Sequence, residues 1–101
     1  MIDYFVDFHA ESLVDSKDAY IYYELQQQGS GERFLKEVWR KIEIISTSPL
    51  LYAPKSRKAF REAKVKNFPY LIVYKVFPKK KRIFISAIHH TKLHPNKKYR
   101  K

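Results

Sequence analysis

The residues of this 101-residue chain best suited to moving a proton near neutral pH stand together toward its C-terminal end: His89, His90 and His94, with Tyr99 shortly after. Histidine alone has an unperturbed side-chain pKa near neutrality, so such a group suits general acid-base work. Arg61, Lys64, Lys66 and Lys92 could supply cations to an anionic transition state. Each has a plainer alternative, since lysines on a strand can form a solvated face and a strand-ending histidine can simply cap or pack. His90 and His94 are four apart, but Pro95 follows directly, no carboxylate joins them and the chain has no cysteine, so no metal or other cofactor is expected. Arg61 runs in phase with Ala59, Ala63 and Val65, which predicts a guanidinium turned toward the packed side or the sheet edge, in a structural ion pair with a carboxylate rather than on a phosphate.

Twenty-one Lys and Arg against ten Asp and Glu give a formal charge of +11, and residues 55–101 carry nearly all of the excess. Such a surface attracts polyanions, either nucleic acid or an acidic partner. The target- or nucleic-acid-binding candidates are therefore Arg61, Lys64, Lys66, Arg82, Lys97, Lys98 and Arg100. The absence of cysteine excludes disulfides, zinc-thiolate sites and Cys nucleophiles. No apolar run approaches the ~18 to 20 residues of a membrane span, and no leader pattern opens the chain, so a soluble cytoplasmic protein with no membrane partner is expected. Apolar residues make up 45%, with fifteen Tyr and Phe, enough for one core without staples. One domain over residues 1–101 is predicted, ending in a basic tail over 91–101.

The elements that must position these groups can be read from spacing. Ile2, Tyr4, Val6 and Phe8 alternate with Asp3, Phe5 and Asp7, the period of a strand with one buried face. From about His9 to Gln28 the spacing is helical, with Leu13, Val14, Ile21 and Leu25 expected to form the apolar side. Tyr20, Tyr22 and Tyr23 are read as packing residues at the end of this helix. Gly29 is expected to end it in a left-handed cap, and Ser30 to cap a second helix. Phe34, Leu35, Val38, Trp39, Ile42 and Ile45 recur at three- and four-residue steps until Ser46-Thr47-Ser48-Pro49 stops the pattern. The short linker implies an antiparallel helical hairpin.

Beyond a proline-containing loop, Ala59, Arg61, Ala63 and Val65 alternate as a strand. Tyr70 to Phe77 is a nearly continuous apolar run, as in a well-buried central strand. Pro78-Lys79-Lys80-Lys81 forms a turn, and Arg82 to His89 gives a last strand with Ile83, Ile85 and Ala87 on one face and Phe84 and Ile88 on the other. The expected fold class is α+β in the order β-α-α-β-β-β: an N-terminal strand, a helical hairpin, then a three-stranded antiparallel meander with the helices on one sheet face.

The run Phe68-Pro69-Tyr70-Leu71-Ile72-Val73-Tyr74, followed by Ile83 to Ile88, His90, Pro95 and a basic tail, resembles the RelE/ParE toxin superfamily, in its ParE-like or plasmid-stabilisation branch. Tyr22-Tyr23-Glu24, Phe34-Leu35, Pro49 and Arg61 fit the same pattern. The resemblance spans nearly the whole chain. It implies a type II toxin that arrests bacterial growth and is neutralised by a cognate antitoxin, within a possible hetero-oligomer. Its target would be DNA gyrase, or messenger RNA on the ribosome if the chain is a metal-independent endoribonuclease. In the nuclease reading His90, Lys92 and Tyr99 are the catalytic candidates, Tyr99 also being able to stack on a base.

Two positions depart from the family pattern. Leu71 stands where nuclease members often carry an arginine, and Leu93 stands where ParE-like members commonly do. Leucine at position 71 cannot stabilise phosphate charge, which weakens the nuclease reading, while Leu93 blurs the ParE-like match; inhibition of a target without RNA cleavage is slightly favoured. The alternatives are the ribosome-dependent nuclease, and a non-toxic nucleic-acid-binding module or degenerate toxin.

Overall fold

The computed structural model describes residues 4–55, 59–95 and 98–101. The chain runs β1 (Phe5–Phe8), α1 (Ala10–Gln26), α2 (Ser30–Thr47), β2 (Arg61–Lys64), β3 (Tyr70–Phe77) and β4 (Arg82–His90), with a short 3-10 turn over Pro78–Lys80. This is the expected element order, and β2, β3 and β4 form the expected antiparallel meander. The four-stranded sheet has the order β1-β4-β3-β2, and β1 joins it parallel to β4, from Phe5 opposite Arg82 to Phe8 opposite Ile85. A parallel partner needs a crossover, and the helical hairpin supplies it.

The spacing in α2 fixes how the hairpin lies. Phe34, Val38, Ile42 and Ile45 are buried against Ile72, Tyr74, Ile83 and Ile85 of the sheet. Full burial of each large side chain is worth roughly 1.5–3 kcal/mol. Trp39 stays half exposed and meets Phe8 edge-on at 5.9 Å between ring centres. Around Phe34 an aromatic cluster of Tyr23, Phe68 and Tyr70 closes one end of the core. Burial raises the phenols of Tyr70 and Tyr74 to about 12, the Tyr74 hydroxyl donating to the carbonyl of Pro49.

In α1 the expected apolar face is not the buried one. Ser12 and Ala19 are buried, while Leu13, Val14, Ile21 and Leu25 are exposed, Leu25 by 81%. Small residues let the helix lie close to its neighbours, and the large apolar side chains are left facing solvent. The helix starts on His9, whose Nδ1 accepts from the Glu11 N–H at 3.0 Å. Of the three tyrosines, Tyr23 is in the aromatic cluster, Tyr20 packs over Gly31, and Tyr22 is exposed.

The hairpin turn also differs from expectation. Gly29 has a left-handed backbone, with φ 90°, but it is the N-cap of α2 rather than the end of α1, which stops at Gln26 with Gln27 as an extended cap, and Ser30 is the first residue of α2 and does not cap it. The Glu24 carboxylate does that work from α1, accepting from Gly29 N–H and Gly31 N–H at 2.9 Å each. An anion at a helix N-terminus meets both the unpaired amides and the helix dipole. Gly31 is required by space: a Cβ there would lie 2.7 Å from the Tyr20 carbonyl oxygen.

The last strand contains a bulge. Val73 pairs with Ala87 and Tyr74 with Ile85, so Ser86 is the extra residue. A bulge shifts the side-chain alternation by one. Ile83, Ile85 and Ile88 consequently face the helices, and Ala87 joins Phe60 and Val73 on the second face, which corrects the expected pairing of Ala87 with Ile83 and Ile85. β2 is shorter than its alternating pattern, but Ala63 and Val65 are buried as expected.

Candidate functional site

The second face of the sheet is where the basic C-terminal half gathers, and the end of the tail is laid across it. The Tyr99 ring packs on Phe60 at 5.1 Å, and with Leu71 it covers the small patch of Phe60, Val73 and Ala87. The bulge residue fastens the backbone: Ser86 Oγ accepts from the Arg100 N–H at 2.6 Å and lies 2.9 Å from the carbonyls of Lys98 and Arg100.

Two carboxylates fasten the side chains. Glu62, the only acidic residue after Glu43, accepts from the Tyr99 hydroxyl at 2.5 Å and from the Lys98 ammonium at 2.9 Å. Burial works against a charged Glu62, but these two donors outweigh it and hold its carboxyl below the usual range. The Tyr99 phenol is pushed up, by burial first and by the carboxylate second. Asp15 of α1 meets the Arg100 guanidinium as a two-pronged pair, at 2.7 and 3.0 Å. The same carboxylate accepts from the Ile88 N–H at 3.1 Å, and Arg100 donates to the Ser86 carbonyl at 3.0 Å. Together they satisfy the edge of β4 beyond the reach of β1.

The histidines separate at the end of β4. His89 is 4% exposed, its Nε2 lies 3.3 Å from the Leu93 carbonyl, and burial lowers its pKa. His90 sits opposite Tyr70, ring centres 5.0 Å apart, and its Nδ1 accepts from the Lys92 N–H at 3.0 Å. An accepting Nδ1 puts the proton of a neutral imidazole on Nε2. His94 and the side chain of Lys92 are exposed nearby. Among the described residues no three His, Cys, Asp or Glu converge as a metal-binding group.

The remaining cations have mixed surroundings. Arg61 does turn to the packed side, yet its Nη1 donates to the Tyr52 carbonyl and, among the described residues, it meets no carboxylate. The expected ion pair is therefore replaced by a backbone contact, with Nε buried and unpartnered. Lys64 donates to the carbonyls of Val65 and Phe68 at 3.0 and 2.7 Å. Arg82 faces Asp7 at 3.2 Å, both half exposed, a pair of small energetic weight. Lys66 is exposed, and Lys97 lies outside the described residues.

A family model described as ParE toxin of type II toxin-antitoxin system, parDE, matches residues 6–93. The chain belongs to the ParE toxin family. Among solved structures, this ParE-family fold is similar to a chain of the chromosomal ParDE toxin-antitoxin system from P. aeruginosa, with a TM-score of 0.76 and 13% identity over 88% of this chain and 97% of that one. It is also similar to a double arginine-to-alanine mutant of the E. coli toxin RelE in its free state, with a TM-score of 0.66 and 22% identity over 90% of this chain and 86% of that one. At these identities the likeness concerns the fold. No curated protein sequence gives a significant match. Among the described residues no helix of the ParE-family chain is long and apolar enough to cross a membrane.

Within the ParE-family fold, the sequence-predicted tail residues Lys98, Tyr99 and Arg100 do come together, but on internal carboxylates. Leu71 packs, like Tyr99, against the apolar patch of Phe60, Val73 and Ala87. Sequence reasoning missed Asp15, Glu62 and Ser86, which hold the tail together with Phe60. Glu62 had a usable signal: a lone carboxylate in a strongly basic half is placed to meet the cations around it.

Proposed function

We propose that this ParE-family toxin arrests bacterial growth by binding a macromolecular target without cutting RNA, DNA gyrase being the favoured target, and that a cognate antitoxin neutralises it. The observation that carries this reading is the clasp of Tyr99 and Lys98 on Glu62. A phenol donating to a carboxylate and raised in pKa is a poor proton carrier, and an ammonium already neutralised by that carboxylate is a poor phosphate ligand. Leu71 adds no charge on the same face. Of the cations that the sequence put forward for a target, Lys66 and Lys92 are exposed and Arg82 keeps only its weak pair with Asp7.

The antitoxin surface in this reading is the exposed stripe of Val14, Ile21, Tyr22 and Leu25 on α1, which suits an amphipathic helix whose acidic residues meet the toxin's lysines. One observation favours the ribonuclease as a second reading: the Lys92 amide fixes the tautomer of His90 and leaves Nε2 as its proton-bearing atom, as an acid-base group would need. Purified toxin assayed for inhibition of DNA gyrase supercoiling, with Lys66→Glu and Lys92→Glu as variants, tests the proposal. Inhibition lost in both variants is expected; full activity of gyrase at saturating toxin would remove gyrase as the target.

A further inference from the structure

A cleft of about 540 Å³ opens on the second face of the sheet toward the β3–β4 turn, beside the fastened tail. Its size falls in the range of sites that seat a small ligand or a few side chains, roughly 300–1,000 Å³. Phe77 and Phe84 make its apolar walls above the buried Phe60, and cations surround them. Arg82 is occupied by Asp7 and Arg100 by Asp15. Among the described residues, Lys75, Lys80 and Lys101 meet no carboxylate, so the cleft keeps an uncompensated positive charge. The Lys75 ammonium is held 5.6 Å from the ring centre of Phe60 and 5.7 Å from that of Phe77, which fixes charge directly above the apolar wall.

We propose that this cleft docks an acidic peptide segment of a partner protein, one apolar side chain seated against Phe77 and Phe84 and its flanking carboxylates on Lys75, Lys80 and Lys101. Charge complementarity names an anionic occupant, and the apolar walls require that it also carry a hydrophobic group. A single-stranded nucleic acid would use the rings differently. It would stack bases on open ring faces, but Phe60 is only 1% exposed and Lys75 lies over both Phe60 and Phe77. A phosphodiester backbone lacks the aliphatic group that the walls call for. The cleft is separate from the α1 stripe, and its occupancy does not depend on whether the chain arrests growth.

The test is fluorescence anisotropy on the full chain with three labelled probes: an oligoglutamate with one central leucine, the same peptide with glutamate throughout, and an oligothymidylate of matching charge. The leucine-bearing peptide should bind roughly tenfold more tightly than the all-glutamate one, the gain from burying part of one aliphatic side chain. Lys75→Glu should weaken it roughly tenfold, and so should Lys101→Glu, an exposed position where the change leaves the core intact. Lys36→Glu on α2 makes the same charge change elsewhere and should cost less than about twofold. Equal losses in all three variants, or no preference for leucine, would overturn the proposal in favour of general attraction to a basic surface. Tighter, Lys75-dependent binding of the oligothymidylate would overturn it in favour of a nucleic-acid site.

Discussion

Replacing Asp15 by alanine should destabilise the fold far more than its place on a helix surface suggests. The carboxylate accepts three hydrogen bonds: two from Arg100, at 2.7 and 3.0 Å, and one from the Ile88 N–H at 3.1 Å. Both charged side chains are 21% exposed, so the pair is neither screened like a surface pair nor burdened by full desolvation. A two-pronged charged contact of this kind contributes about 1.5–2 kcal/mol, and an Ile88 amide left without a partner costs about 1–2 kcal/mol more. Asp15→Ala should therefore cost about 3 kcal/mol, and Arg100→Ala, which orphans no strand amide, about 2 kcal/mol. At about 4–8 °C per kcal/mol for a domain of this size, the first should lower Tm by roughly 12–24 °C. Urea melts of the wild type, both single variants and the double variant give the coupling energy directly. The expected coupling is about 1.5 kcal/mol; a value below about 0.5 kcal/mol would mean that the tail is held by Tyr99 on Phe60 and that the Arg100 clasp contributes little.

Acid should loosen the other clasp. Glu62 is held below its ordinary pKa in the folded chain, so its stabilisation is present above about pH 4.5 and is lost as the pH falls through the folded value. Glu62→Gln should flatten that part of the stability-pH profile from urea melts. His89 adds a second window: burial lowers its folded pKa, so its neutral form stabilises the fold above about pH 6.5, and that contribution declines on acidification below it. His89→Gln should remove the decline. Gly31→Ala should cost about 1–3 kcal/mol in a thermal melt, because its Cβ would sit 2.7 Å from the Tyr20 carbonyl. Leu25→Ala should change stability by less than about 0.5 kcal/mol, given its 81% exposure, while weakening antitoxin capture in a pull-down; a large stability loss would contradict the exposed stripe.

Where side-chain periodicity alone decides structure, the sequence was a good guide. The buried face of α2 follows its three- and four-residue spacing, and β3 is the apolar central strand its composition announced. It misled where a neighbour overrides the period. In α1 the close contacts are made by Ser12 and Ala19, which a search for large apolar residues passes over. The bulge at Ser86 carries no mark in the sequence, yet it exchanges the faces of Ala87 and Ile88. The tail reads as a solvated basic segment because its partners are remote: Glu62 lies 37 residues before Tyr99, and Asp15 lies 85 before Arg100. His90 and Lys92 were legible as neighbours at a strand end. That Tyr99 turns away to Glu62 depends on three-dimensional placement and was not.

Inducible expression in a bacterium, with and without the cognate antitoxin, tests the central claim most directly when growth is followed while the 5′ ends of cellular messenger RNA are mapped. Growth arrest that the antitoxin relieves, with no new cuts in translated messages, is the predicted result. Codon-phased cuts that disappear in His90→Ala or Tyr99→Phe would contradict it and make the chain a ribosome-dependent nuclease.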